Sequence, residues 1–173
     1  DGLDDLITGV SGADPGGDQS AGESYVLFGK LTGFSSAVDL ATLDGTNGFR
    51  LDGIDTGDSS GRSVSNAGDV NGDGFADVAL GSSTYDAGQT NEGKVFVFYG
   101  SATGLPATPN WTTESNQAES QLGRNMDAAG DVNGDGFDDV IVGASRFDNG
   151  EIDEGRVFVY YGTRGGGGDP PAG

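Results

Sequence analysis

The sequence has 173 residues, enough for one domain of ordinary size, and its 34% hydrophobic content predicts a thin core. With 28 acidic and 8 basic residues the net charge is -20, which argues against nucleic acid or an anionic membrane surface as a partner. The absence of cysteine and histidine excludes disulfides, thiolate chemistry and histidine-based catalysis. No run of about 18 apolar residues is present, so the sequence predicts no insertion into a membrane.

Short apolar runs, rich in β-branched and aromatic residues and bounded by glycine, predict strands and not helices. In chain order the expected strands are Leu6–Val10, Ser24–Phe28, Gly48–Asp52, Arg62–Ala67, Asp77–Gly81, Lys94–Tyr99, Trp111–Glu114, Arg124–Ala129, Asp139–Gly143 and Arg156–Tyr161. A four-stranded meander repeated along a chain is typical of β-propeller blades. We therefore predict an all-β fold of about two and a half propeller-like blades, each with four antiparallel strands.

The repeats also suggest how the chain is divided. We expect a repeat region over residues 1–162, made of a partial repeat at 1–53, a repeat at 54–115 and an incomplete repeat at 116–162. Residues 163–173 contain four consecutive glycines and a Pro-Pro pair, which cannot form an interior strand. They are expected to be a tail or linker, or else a segment ordered only against another chain.

One acidic loop occurs twice, as "GDVNGDGFADVALG" from Gly68 and as "GDVNGDGFDDVIVG" from Gly130. Counted from its first aspartate, each copy has an oxygen-bearing side chain at positions 1, 3, 5 and 9, glycine at position 6, and phenylalanine at position 7, whose carbonyl is available. Alternate oxygens on a tight loop can converge on a calcium ion, which takes six to eight oxygen ligands. The predicted ligands are Asp69, Asn71, Asp73, the Phe75 carbonyl and Asp77 in one loop, and Asp131, Asn133, Asp135, the Phe137 carbonyl and Asp139 in the other.

This loop differs from an EF-hand loop, which closes with a glutamate at position 12, because that position holds Leu80 and Val142. An acidic turn held by Asx hydrogen bonds, without an ion, is the alternative interpretation. Magnesium fits less well because it prefers an octahedral shell and keeps its waters. The side chains of Phe75 and Phe137 are expected to anchor the loops to the core. The other acidic turns, at 12–24, 85–93 and 147–155, are expected to be solvated.

The loop phrase, followed by "GSS" or "GAS" and later by "VFVFYG" or "VFVYYG", resembles the FG-GAP repeats of integrin α-subunit propellers and of many bacterial surface proteins. The resemblance covers residues 1–162, and the spacing is more similar to the bacterial repeats. It implies calcium in both full loops. The opening "DGLDDLITG" matches only the last part of a loop, so that Asp1, the Leu3 carbonyl and Asp5 would form a partial third site.

These patterns bear on three kinds of function. The first is a calcium-binding structural or interaction module, extracellular or on the cell surface and bacterial, whose chains self-associate into a filament or ring. The second is a carbohydrate- or protein-binding adhesion propeller within a larger surface protein. An enzyme is not expected, because the patterned carboxylates are already assigned as calcium ligands. The sequon at Asn110 could carry a glycan, and Trp111 beside it is expected to pack between blades.

Overall fold

The computed structural model describes residues 2–166, which form ten β-strands and two short 3₁₀ turns, at Pro15–Gly17 and Leu40–Thr42. The strands are β1 (Leu6–Val10), β2 (Glu23–Leu27), β3 (Gly48–Asp52), β4 (Ser60–Gly68), β5 (Asp77–Ser82), β6 (Lys94–Phe98), β7 (Trp111–Glu114), β8 (Leu122–Gly130), β9 (Asp139–Ala144) and β10 (Arg156–Tyr160). In these residues there is no helix long and apolar enough to cross a membrane.

The strands form three antiparallel sheets, which we call the first, second and third blades. The first contains β1-β2-β3, the second β4-β5-β6-β7, and the third β8-β9-β10. Neighbouring strands in each blade follow one another along the chain, as in a meander. The prediction of an all-β fold with partial propeller blades is therefore confirmed.

The second blade packs against a neighbouring blade on each of its two faces. Because side chains alternate along a strand, its strands supply residues to both faces. Ala79, Val95 and Val97 point to one side and join a cluster with residues of the third blade, including Leu122 and Val142. The other face contributes a cluster that reaches the first blade, made of Leu80, Phe96 and Phe98 with Ile7 and Leu51 packed against it. Trp111 packs against Tyr160 with ring centroids 5.1 Å apart at 65°, which confirms that it lies between blades.

Backbone hydrogen bonds join each blade to the one before it. At the start of β4, the N–H groups of Gly57, Ser59 and Ser60 donate to the carbonyls of Gln19, Ser20 and Ala21, each at 2.9 Å. At the start of β8, those of Glu119, Gln121 and Leu122 donate to the carbonyls of Thr90, Asn91 and Glu92 at 2.7 to 3.1 Å. Ser59 and Gln121 both have the left-handed backbone that side chains disfavour, at φ 55° and 57°. The junction between the first and second blades is therefore built in the same way as the junction between the second and third.

The outward face of the third blade is more exposed than its counterpart in the second. Val157 is 61% exposed and Ile141 38%, whereas the equivalent Val95 and Ala79 in the second blade are both 0% exposed. The difference arises because the third blade covers the second, and no described residue covers that face of the third. The outward face of the second blade is therefore buried by the blade that follows it.

Candidate metal centre

The first complete loop lies between β4 and β5 and is folded around the carboxylate of Asp69. One oxygen of Asp69 accepts hydrogen bonds from the backbone N–H of Gly72 (2.8 Å) and Asp73 (3.0 Å), and the other accepts from Gly74 (2.8 Å). Gly72 and Gly74 both have left-handed backbones, at φ 74° and 89°, which glycine adopts without steric cost. The side chain at position 1 therefore organises the loop that it begins.

The next two predicted ligands hold one another in place. The Asn71 side-chain oxygen accepts from the N–H of Asp73 at 2.9 Å, and its amide nitrogen donates to the Asp73 carboxylate at 2.9 Å. The second oxygen of Asp73 accepts from the Phe75 N–H at 2.9 Å. Positions 3 and 5 are thus held on one side of the loop before any ion is considered.

Asp77 closes the loop from a different environment, because it is 0% exposed. Its two oxygens accept from the N–H groups of Val70 at 2.9 Å and Gly100 at 2.8 Å. Burial raises the pKa of Asp77 to about 6, and the nearby charges of Asp73 and Asp69 push in the same direction. A bound cation would oppose both effects.

The second complete loop, between β8 and β9, repeats this geometry. The Asp131 carboxylate accepts from the N–H groups of Gly134, Asp135 and Gly136 at 2.6, 3.1 and 2.9 Å, and these bonds, led by that of Gly136, lower its pKa. Asn133 and Asp135 are paired at 2.9 Å as in the first loop. Asp139 is 0% exposed and accepts from Val132 and Gly162, both at 2.9 Å.

The partial site at the start of the chain shares one feature with the full loops. Asp5 accepts a hydrogen bond from the N–H of Gly29 at 2.8 Å, just as Asp77 and Asp139 accept from the glycine that follows the third strand of their repeat. Asp5 is exposed, however, and Leu3 is 37% exposed. Asp1 lies outside the described residues. Only position 9 of this site is therefore placed as in the full loops.

The donor set of each full loop fits a hard cation. An ionised carboxylate can accept about four hydrogen bonds or metal contacts, so the three donated to Asp69 and the two donated to Asp77 leave lone pairs for a ligand role. Within residues 2–166, no three acidic side chains converge closely enough to hold a metal ion together. Calcium binding therefore also needs the neutral oxygens of each loop, or a rotation of its carboxylates.

The expectation that both loop phenylalanines anchor to the core was wrong. Phe75 remains 43% exposed. Phe137 instead lies against the other loop, where a Cβ placed on Gly72 would be 2.4 Å from its ring. The physical reason is that position 7 points toward the preceding blade, so that its neighbour depends on what the preceding repeat offers.

Sequence reasoning also missed three acidic residues with structural roles. Asp138, at position 8 of its loop, accepts from the N–H of Asp69 at 2.8 Å, although the same position in the other loop is Ala76. Glu92, in a turn expected to be solvated, is 1% exposed, and one of its oxygens accepts from the N–H groups of three residues of that turn. Asp58 is 5% exposed. The role of Asp138 depends on a contact between two repeats, which a motif within one repeat does not reveal.

The chain beyond β10 returns to the first complete loop. The N–H of Thr163 donates to the carbonyl of Val70 at 2.9 Å, and that of Gly165 donates to Asn71 at 3.4 Å. Val70 is accordingly 5% exposed, whereas its counterpart Val132 is 57% exposed. The loop of the second blade is thus covered by the third blade and by residues 163–165.

Comparison with known families supports the resemblance seen in the sequence, since FG-GAP repeats match residues 60–98 and 127–160. These two segments are similar to FG-GAP repeats. It is 31% identical over 163 residues, 93% of its length, to phosphatidylinositol-glycan-specific phospholipase D of Rattus norvegicus. It is 30% identical over 168 residues to integrin alpha-5 of Xenopus laevis, and 31% over 129 residues to integrin alpha-V of Gallus gallus. The chain spans only 19%, 15% and 12% of the lengths of these three proteins.

Proposed function

We propose that this chain is a calcium-stabilised structural and interaction module of an extracellular or cell-surface protein. The observation that carries the proposal is the repeated loop, in which the side chains at positions 1, 3, 5 and 9 accept the same backbone hydrogen bonds in two blades. A bound calcium ion would supply positive charge and a fixed point for the oxygens. The ligands would be Asp69, Asn71, Asp73, the Phe75 carbonyl and Asp77, and the corresponding Asp131, Asn133, Asp135, the Phe137 carbonyl and Asp139.

The chain's own charge explains what the ion would do. Each loop gathers three proposed ligand carboxylates within nine residues of a chain with a net charge of -20, and one in each loop, Asp77 or Asp139, is fully buried. Neutralising them would favour the folded state over the unfolded one, because the loop assembles only on folding. Three carboxylates and a flexible loop favour modest affinity, which suits the millimolar calcium found outside cells. A bacterial cell surface remains our proposed source.

Thermal unfolding with and without a chelator tests this function. We expect the Tm to rise by several degrees in about 1 mM calcium, since ligands that bind only the folded state stabilise it by mass action. The same concentration of magnesium should raise the Tm less. A double variant, Asp73→Asn with Asp135→Asn, should unfold at one temperature in calcium and in chelator. An unchanged wild-type Tm on adding calcium would overturn the proposal.

For the interaction part we propose a second copy of this chain as the partner. The outward face of the third blade exposes Ile141, Val157 and, in the adjoining turn, Ile152, at 38%, 61% and 85%. Burial of such a face is favourable at about 25 cal/mol per Å² of apolar area. Sedimentation in calcium should show species larger than one chain, and a Val157→Lys variant should remain monomeric. Wild-type chains that stay monomeric at high concentration would exclude self-association.

Adhesion to a protein or carbohydrate outside the chain is the second candidate. It is favoured by two cavities of about 390 and 420 Å³ between the first and second blades, one of which lies beside Phe75 and the other beside Arg50 and Asp58. Exposed aromatic rings are few, however: Phe34 and Phe75, at 36% and 43%, are the exposed ones in a chain whose aromatic residues all lie within the described range. Binding to a glycan array would establish this candidate. A glycan on Asn110 itself would appear in the intact mass.

We do not propose catalysis by this chain. One relative is named as a phospholipase D, but the match covers only 19% of that protein. The proposed calcium ligands account for the patterned carboxylates, and the sequence has no histidine or cysteine to serve as base or nucleophile.

A further inference from the structure

The two complete loops are joined to each other by a reciprocal pair of hydrogen bonds. The backbone N–H of Asp69 donates to a carboxylate oxygen of Asp138 at 2.8 Å, and the backbone N–H of Asp138 donates to the carbonyl of Asp69 at 3.1 Å. Asp69 is the first residue of one loop and Asp138 the eighth of the other. Two loops separated by a whole repeat are therefore in direct contact.

The neighbourhood of this pair is shaped to admit the Asp138 side chain. Gly68, which precedes Asp69, has a left-handed backbone at φ 77°, and a Cβ placed on it would fall 2.2 Å from the Asp138 carboxylate. Phe137 adds a second contact by lying across Gly72 of the same loop. Two successive residues of the later loop thus rest on the first half of the earlier loop.

Asp138 stands between two residues to which we assign ligand roles. On one side is the Phe137 carbonyl, and on the other is Asp139, which is fully buried. A ligand that holds these two residues in place also holds Asp138 between them. Asp138 in turn holds the backbone of Asp69 through the two hydrogen bonds. Asp69 in turn holds three N–H groups of its own loop, so its position decides the shape of that loop.

Resting on the proposed calcium function, we propose that Asp138 is a positioning residue that couples calcium binding in loop 69–77 to calcium binding in loop 131–139. It is not itself a ligand, because position 8 is Ala76 in the other loop and the donor pattern is complete without it. When the later loop is loaded, Phe137 and Asp139 are held and Asp138 keeps Asp69 in its binding position. Coupling of this kind is reciprocal, so loading of the earlier loop favours the later one equally.

The charge of Asp138 acts in the same direction. Its carboxylate lies at hydrogen-bond distance from the backbone of Asp69, well inside the screening length of about 8 Å at physiological salt. The negative potential that it adds disfavours the metal-free loop, which already holds three carboxylates, and favours a loop that contains a divalent cation. Asp138 therefore raises the affinity of loop 69–77 in addition to linking it to its neighbour.

A site-resolved calcium titration of the whole chain tests the proposal. The amide signals of Gly74 and Gly136, each of which donates to the first aspartate of its own loop, report the two loops separately by NMR. The variant Asp135→Asn disables the later loop. In the wild-type background we expect this change to weaken calcium binding at Gly74 by about fivefold or more. In an Asp138→Ala background it should change binding at Gly74 by less than about twofold.

The matched control is Asp127→Ala. Asp127 also receives a hydrogen bond from the second blade, from the Ser65 hydroxyl at 2.8 Å, but it lies within β8 and outside both loops. This variant weakens the same junction and should keep the full coupling. If Asp138→Ala does not fold, Asp138→Asn replaces it; this variant keeps one acceptor oxygen for Asp69 but removes the charge, so it should retain part of the coupling and lose affinity at Gly74.

The outcomes separate the two proposals. Coupling that is unchanged in the Asp138 variants, with calcium still bound, would overturn the role of Asp138 and leave the calcium function intact. Equal loss of coupling in the Asp127 and Asp138 variants would also overturn it, because blade packing alone would then explain the effect. Absence of calcium binding at both glycines in the wild type would overturn the proposed function itself.

Discussion

Gly81 of β5 lies directly against the backbone of Gly123 in β8, so that a Cβ placed on Gly81 would be 2.0 Å from the Gly123 carbonyl oxygen. The same relationship joins Gly9 and Gly61 one repeat earlier, also at 2.0 Å. Neither Gly81 nor Gly9 has an unusual backbone angle, so glycine is needed there for closeness and not for conformation. These two contacts set how near successive blades can approach.

Gly81→Ala is therefore expected to destabilise the junction between the second and third blades. Backbone atoms cannot move aside as a flexible side chain can, so we expect a loss of about 1–3 kcal/mol in the free energy of unfolding, as for an overpacked core. Urea denaturation measures it. The control is Gly143→Ala, at the equivalent position of the third blade, where the nearest atom would be 3.4 Å from the new Cβ. Equal midpoints for the two variants would contradict this account.

Substitutions of Asp77 and Asp73 are expected to lower the free energy of unfolding by different amounts when calcium is removed by a chelator. Asp77→Ala leaves the buried N–H groups of Val70 and Gly100 without an acceptor, and each orphaned donor costs about 1–3 kcal/mol, offset in part by relief of a buried charge. Asp73 is exposed, so water replaces it and Asp73→Ala should cost less than about 1 kcal/mol. Both variants should lose the part of the calcium response that comes from loop 69–77, while loop 131–139 keeps its own. Equal destabilisation of the two variants in chelator would show that the hydrogen bonds accepted by Asp77 do not stabilise the fold.

Stability should fall as the pH rises through the range in which Asp58 ionises. Burial raises the pKa of Asp58 from 3.8 to about 6, helped by the charges of Asp55 and Asp86. Between these values the folded protein holds a proton that the unfolded chain has released, so raising the pH favours unfolding. Asp58→Asn should therefore gain on the order of 1–3 kcal/mol over the wild type at pH 7 and nothing near pH 4. Asp77 adds a parallel slope that this variant leaves in place.

The measurement is urea unfolding in chelator at several pH values, with Asp44→Asn as the comparison. Hydrogen bonds from Thr46 lower the pKa of Asp44, so the sign of its contribution is opposite and its loss should harm the protein at neutral pH. A difference between Asp58→Asn and the wild type that did not grow with pH would contradict the assignment.

The single tryptophan should report the junction between the second and third blades. Trp111 lies edge-on to Tyr160, which is 4% exposed. Tyr160→Ala should expose the indole ring, shift its emission to longer wavelength and cost about 3–5 kcal/mol. Phe49→Ala removes a comparable ring pair, with Phe28 in the first blade, and should destabilise without shifting the native emission. The same native spectrum in both variants would disprove the placement of Trp111.

Most of the strand pattern could be predicted because many of the strands, such as Asp77–Ser82 and Lys94–Phe98, contain short apolar runs bounded by glycine. The ten predicted strands all form, with Leu6–Val10, Gly48–Asp52 and Trp111–Glu114 matching to the residue. Two strands begin two residues earlier than predicted, at Ser60 and Leu122, because the chain is already paired across a register shift there. Such irregular pairing has no apolar alternation to reveal it.

The loops could be predicted only as far as their own sequence determines them. The donor positions in loop 69–77 were evident, and their hydrogen bonds to the loop backbone follow from the same side chains. The contacts of Phe137 and Asp138 could not be predicted, because they depend on the loop that the preceding repeat presents. Glu92 was misjudged for a similar reason, since its burial results from the following blade.

The difference in exposure between Val95 and Val157 shows that the two ends of the row of blades are not equivalent. Equivalent residues are buried or bare according to whether another repeat comes after them, so a repeat's place in the row, and not its composition alone, decides how much apolar surface it shows. Deleting the third blade would bare Val70, Ala79 and Val95 at once, whereas deleting the first would leave all three covered. The repeats are therefore not interchangeable units, since removing the first blade would instead expose the opposite face of the second, with Leu80, Phe96 and Phe98.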